Sequence, residues 1–404
     1  MTPRALTGLG IVSALGIGRE AVFDAIREKT NRESRREGGW NRSLLFSSSP
    51  REPITAFDAS AYPGAQLAEV RGFEPSKYLG DKGLRTLDRL TKLMLVSARL
   101  ALHDGGIKKD GLFVHATPET AGVVCSNAYG SLEAIAELDR VAVLEDARYI
   151  NPAKFPNTVS NSASGYVSIW EDLQALNVAV SDGNCGALDA IACADIYLET
   201  GRADVLLVGG AEALSEGLFL GFHRLGALSA AGGTEGTLGE GATFFVMEPA
   251  ERARTRGASV LAEVIGYGTA FLPPPGEALL FHASTEALER AVASALADAG
   301  IAAADVDVVA SSVSGMRAFD EVELEAIART IGDSVAVAAP KALFGETLGA
   351  GGAMGMAALT AWMQGASGPL PLVRGSAPAK VRTALVTSMG FYGNASAVAM
   401  RAPS

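Results

Sequence analysis

Residues Val178–Thr200 read VAVSDGNCGALDAIACADIYLET, and the chain continues through Gly201–Ala213 as GRADVLLVGGAEA. Val178–Val180 is a short β-branched run that suits a buried strand. Ser181–Gly183 are small or turn-forming residues, and beyond them Leu188, Ile191, Ala192 and Ile196 recur at helical spacing. Gly201 stands just past that pattern as a C-cap, and Asp204–Val208 opens a second strand closing on Gly209-Gly210. Strand, small-residue elbow, helix, strand, glycine turn is the unit of a layered α/β protein with a largely parallel sheet.

The same unit recurs in the second half. Val335–Ala338 leads into Lys341–Gly352 and a helix, and Thr383–Val386 then closes on Met389-Gly390-Phe391. Ala121–Cys125 and Asp305–Ala310 supply further strand-like runs. A duplicated unit of this kind buries two sheets around shared central helices. Phe271–Gly276 (FLPPPG) reads as a rigid loop near the junction of the repeats, and Asn31–Ser49 as an exposed loop.

Composition narrows the function classes. With 404 residues, 48% hydrophobic and 20% charged, the chain can bury two core-forming units. No stretch approaches the ~20 apolar residues of a membrane span, and the glycine-laced N-terminus lacks the apolar core of a signal peptide. A net charge of −11 argues against nucleic acid as the main partner. Cys125, Cys185 and Cys193 are too few for a disulfide framework, which fits a reducing cytoplasm. His103, His115, His223 and His282 show no ligand-like spacing, so no metal site is expected.

Six segments, in order, resemble the β-ketoacyl synthase (condensing-enzyme) family. They are the start LTGLGIVSALGIGRE, Phe73–Ile107, Asn151–Gly165 (NPAKFPNTVSNSASG), Gly201–Ala213, Leu238–Ala242 (LGEGA) and Met389–Ser396 (MGFYGNAS). The resemblance implies a thiolase-like αβαβα sandwich with a duplicated core, divided into ketosynthase-like halves 1–250 and 251–404. It also implies a Cys nucleophile at the elbow, activated by the helix N-terminus, and two histidines that support decarboxylation of a malonyl unit.

Carried over residue by residue, all three catalytic positions are altered. The family's V-S-T-A-C-A-S-G-L-Q-A-I aligns without a gap on Val180–Ile191 and puts Asn184 at the nucleophile; a one-residue gap would put Cys185 there instead. Ser312 stands for the first histidine, with Asp320 and Glu323 at the retained offsets. In the K-S-N-I-G-H motif Lys341 is retained and Glu346 replaces the histidine, a carboxylate that would repel a malonyl group. Glu323 and Lys341 are expected to form an inherited ion pair. Phe391 falls at the family's gating aromatic, and Tyr392 replaces a family glycine.

The resemblance is greatest to chain-length factors, the non-condensing homologues that pair with an active ketosynthase and shape its acyl tunnel. That reading makes Leu132, Ile135, Ala136 and Asp139 tunnel-lining, and implies an active ketosynthase and an acyl carrier protein as partners. Substrates would ride on the carrier's phosphopantetheine, with no cofactor of the chain's own. Lys77, Lys82, Arg85, Arg89 and Lys92 read either as a basic face for an acidic carrier or as a solvated helix face. Two alternatives stand beside it: an acyltransferase or divergent ketosynthase using Cys185, and a non-catalytic acyl-binding scaffold.

Overall fold

In the computed structural model, which describes residues 1–34, 52–227, 236–276 and 281–403, strands buried on both faces set the layers. In β1 (Arg4–Ser13), β2 (Ala121–Ser126), β3 (Asn177–Val180), β4 (Val205–Glu212) and β5 (Gly241–Pro249), successive side chains face opposite ways. Leu206, Val208, Phe245 and Met247 enter a central core, while Val205, Leu207, Phe244 and Val246 enter an outer one. The second half repeats the device in β6 (Ala262–Phe271), β7 (Val308–Ala310), β8 (Ala336–Ala338), β9 (Leu372–Arg374), β10 (Thr383–Met389) and β11 (Asn394–Arg401). There Ala384 and Val386 face the centre, and Leu385 faces outward.

The sheet runs β9-β8-β7-β10-β11-β6-β1-β5-β4-β2-β3, with Gly16–Ile17 as a short twelfth strand on β1. In the first half, β1–β5 and β5–β4 are antiparallel and β4–β2–β3 parallel. In the second, β6–β11 and β11–β10 are antiparallel and β10–β7–β8 parallel. The strand pattern is therefore duplicated, and the antiparallel pairing of β1 with β6 (Arg4 opposite Val264) joins the copies.

Helices occupy three layers. α1 (Arg89–Asp104) and α3 (Ser162–Glu171) cover the first half, separated in the chain by α2 (Leu132–Val141). α6 (Thr285–Ala299) and α7 (Arg317–Thr330) cover the second half, and α5 (Glu216–Arg224) precedes them. Between the faces lie α4 (Gly186–Glu199) and α8 (Gly351–Met363). Every residue of α8 is buried, which explains its lack of a polar face. The arrangement is the αβαβα sandwich that the family resemblance implies, with the duplicated strand pattern of the repeat. Local chemistry sets the boundaries: Asp88 caps α1 by accepting the Thr91 N–H at 2.7 Å, and Gly300 ends α6 at φ +65°.

Two sequence expectations change. Gly209-Gly210 is not a turn, because β4 continues through both glycines to Glu212, paired with Phe244 and Thr243. A side chain at Gly210 would collide with the Gly349 carbonyl, so the glycine serves close approach of the halves. The helix Arg19–Ser34 takes in Asn31–Ser34; residues 35–49 of the expected loop lie outside the described residues.

Candidate active site

The elbow Asp182–Gly186 joins β3 to α4 and carries Asn184 into the interior, where it is 2% exposed. Its Nδ2 donates to the Met389 carbonyl at 3.3 Å, and the Ser388 hydroxyl donates to its backbone carbonyl at 2.6 Å. The elbow of the first half is thus pinned beneath the end of β10 in the second. Cys185 is the next residue, fully buried, with its thiol on the Ser388 carbonyl at 3.4 Å. Burial, with Asp189 and Asp182 adding negative charge, pushes this thiol well above its ordinary pKa. A nucleophilic cysteine needs the opposite environment.

Ser312 and Glu323 form a closed unit. Glu323 accepts the Ser312 N–H at 2.8 Å, the Ser312 hydroxyl at 2.7 Å and the Thr387 hydroxyl at 2.6 Å. The Met389 N–H in turn donates to the Ser312 oxygen at 3.0 Å. Burial raises the Glu323 pKa and these donors oppose it. Asp320 accepts the N–H groups of Ser314 and Gly315 at 3.0 and 2.9 Å, bracing the loop before α7.

The expected pair of Glu323 with Lys341 is not formed. The one-turn helix Lys341–Phe344 lets the lysine fold onto Glu346, with Nζ at 2.9 and 2.7 Å from its two carboxylate oxygens. The Leu348 N–H adds a third donor at 2.9 Å. Glu323 is held instead by Ser312 and Thr387, with Lys341 still near enough to favour its charged form. Glu346 thus finds its counterion five residues away.

Two acidic groups escaped the sequence reading. Glu212 is buried at the end of β4 and accepts backbone N–H groups of Ala128 and Gly349 at 2.8 and 3.2 Å; burial raises its pKa to about 7. Asp189 on α4 accepts the Ser396 hydroxyl at 2.6 Å, and burial with the adjacent Asp182 carboxyl raises it to about 7. Both act across the two halves, a relation with no short-range sequence signal.

Phe391 lies just beyond Met389, 1% exposed, among the rings of Phe222, Phe281 and Phe319 at 5.9, 5.1 and 5.2 Å. The four positions on α2 do not share one environment. Leu132 packs inward onto the cluster containing Phe391, while Ile135, Ala136 and Asp139 are exposed on the chain by itself. Of the basic series, Arg89 is a fork on buried Glu240, with Nε and Nη2 at 2.7 and 2.5 Å, and Lys77 pairs with Glu74. Lys82 and Arg85 are exposed. Arg85, Arg89 and Lys92 line a cleft of about 770 Å³ together with Glu133 and Glu137 of α2.

Comparison with known proteins agrees with this architecture. Residues 2–253 match the β-ketoacyl synthase N-terminal domain, and 261–370 match its C-terminal domain. A 3-oxoacyl-[acyl-carrier-protein] synthase 2 of Coxiella burnetii is 32% identical over 371 residues, 86% of this chain and 83% of its own. Nodulation protein E of Rhizobium sp. (strain N33) is 29% identical over 367 residues, 87% of this chain and 84% of its own. The solved ishigamide ketosynthase/chain length factor superposes over 100% of both chains with a TM-score of 0.83 at 23% identity. The ketosynthase ApeO in complex with its chain length factor ApeC from Xenorhabdus doucetiae gives 0.75 at 16% identity, over 100% of this chain and 98% of that one. The chain belongs to the β-ketoacyl synthase family. Among the described residues, no helix is long and apolar enough to cross a membrane.

Proposed function

We propose that this chain is a non-condensing, chain-length-factor-type subunit that pairs with an active ketosynthase and shapes its acyl tunnel, in fatty-acid or polyketide synthesis. One observation supports the reading: Asn184, Ser312 and Glu346, which align with the family's catalytic positions, are each buried, Asn184 bonded through its Nδ2, Ser312 to Glu323 and Glu346 to Lys341. Condensation needs an acylable thiolate and donors directed at the thioester oxygen. Here the amide has no thiol, the serine hydroxyl is committed to Glu323 and the glutamate to Lys341. Several relatives carry the name of a condensing enzyme, but the altered positions separate this chain from that chemistry. The burial of Cys185 counts against its use as a substitute nucleophile.

The surface supports a partner. Val143, Leu144, Tyr149, Phe155, Val159 and Ile169 are each more than half exposed and fall within one 27-residue stretch. β3 beside it is an unpaired sheet edge. Large exposed apolar surface next to an open edge marks an interaction site. In such a pair, exposed Ile135, Ala136 and Asp139 face the partner and line a shared tunnel. Exposed Lys82 and Arg85 meet an acidic acyl carrier protein, whose phosphopantetheine arm delivers the substrate. Intact-protein mass spectrometry after incubation with acyl- and malonyl-carrier protein tests the claim: no adduct and no decarboxylation are expected, and a stable adduct on Cys185 would overturn it.

A further inference from the structure

The turn Gly390–Gly393 covers the elbow, and its attachments come from every side. The His282 N–H donates to the Phe391 carbonyl at 2.7 Å, and the Gly393 N–H donates to the His282 carbonyl at 2.9 Å. On the far flank the Leu272 N–H donates to the Gly393 carbonyl at 2.9 Å. Gly393 sits at φ +88°, and a side chain there would run into the Leu272 carbonyl, so the turn is fitted closely to that strand end. The Asn394 side chain links turn and elbow: its Oδ1 accepts the Tyr392 N–H at 3.4 Å and its Nδ2 donates to the Asp182 carbonyl at 3.2 Å.

The side chains close what the backbone fixes. The Phe391 ring is held edge-to-face by rings from α5, α7 and the segment before α6, and edge-to-face packing resists rotation of one ring alone. Tyr392, the next residue, is 50% exposed. Tyr129 also packs onto the Phe391 cluster. Swinging Phe391 aside would break the ring box and the paired backbone bonds to His282 together.

We propose that Gly390–Gly393 is a fixed roof that excludes pantetheine-borne thioesters from this chain's own elbow, with Phe391, Tyr392 and Tyr129 as the excluding residues. This deepens the partner-subunit reading: acyl groups handled by the assembly enter from the partner's side. A thiol placed beneath the roof reports on it. In the full chain carrying Cys185→Ala, Asn184→Cys is treated with iodoacetamide, natively and in denaturant, and labelling is read by peptide mass spectrometry. Native labelling should be at least about 100-fold slower than in denaturant, because the reagent must await local opening. Adding Tyr392→Gly should accelerate it at least about tenfold by removing the outer wall, whereas Tyr392→Phe should have a smaller effect. Native labelling within about tenfold of the denatured rate, or no acceleration by Tyr392→Gly, would overturn the proposal. Should a variant misfold, hydrogen exchange of the unaltered chain decides: slow exchange of the His282 and Gly393 amides supports the roof, and fast exchange refutes it. Neither readout involves a ketosynthase, so a failure here is distinct from a failure of the partner role.

Discussion

At the scale of single residues, the resemblance pointed to Asn184, Ser312 and Glu346 as altered positions, but not to the hydrogen bonds each makes. Lys341 was visible as a retained residue. Its partner was misassigned because the choice between Glu323 and Glu346 depends on Ser312 and Thr387 supplying Glu323 with hydroxyls. The buried Lys341–Glu346 pair makes a definite prediction. Lys341→Met should destabilise the chain by about 3–5 kcal/mol, since it strands a buried carboxylate, and the double variant Lys341→Met, Glu346→Leu should recover most of that. Denaturant titration of both variants checks this; equal losses would mean the pair is not the source. Asp189 and Glu212 predict a pH dependence. Folding lifts them from ordinary values of 3.8 and 4.5 to about 7. Between those limits the folded chain holds protons that the unfolded chain has released, so stability falls as pH rises toward 7 and levels off above it. Each group contributes a slope of up to about 1.4 kcal/mol per pH unit. The denaturation midpoint should therefore be higher at about pH 5.5 than at about pH 8, and Asp189→Asn should flatten the difference.

At the scale of elements, the duplicated strand–elbow–helix unit was legible because apolar period and small-residue punctuation are local signals. The joining of the repeats was not, because the β1–β6 pairing links residues more than 250 positions apart. Gly209-Gly210 was misread for the same reason: the Thr243 carbonyl crowds Gly209 and the Gly349 carbonyl crowds Gly210, and both approaches are distant in sequence. α2 shows a finer limit. Sequence placed its residues on one helix, but which of them face inward depends on the aromatic cluster beneath. That distinction separates two tunnel variants. Leu132→Trp would overpack the inner cluster and cost about 1–3 kcal/mol, confounding any effect on product. Ile135→Trp projects from an exposed position and should shorten the products of a reconstituted pair while leaving the partner's acylation intact. Unchanged product length in a variant that folds and pairs normally would remove Ile135 from the tunnel.

For the whole molecule, the shared sheet, two central helices and inter-half bonds at the elbow form a ketosynthase-family scaffold, and the proposed role rests on Asn184, Ser312 and Glu346 standing where the family carries its reactive groups. A scaffold so preserved, with an open edge strand and an exposed apolar face, is suited to acting through another subunit. Stable interfaces of obligate pairs commonly bury about 2,000 Å² or more, and an apolar stretch such as 143–169 offers the core of one. The most direct measurement is product formation from malonyl-carrier protein by this chain alone, by an intact Cys-His-His ketosynthase alone, and by the two together, with carrier-bound products read by mass spectrometry. The predicted result is no decarboxylation or condensation by this chain alone, and defined long products only from the pair. Condensation by this chain without a partner, or a product profile that its presence does not alter, would contradict it.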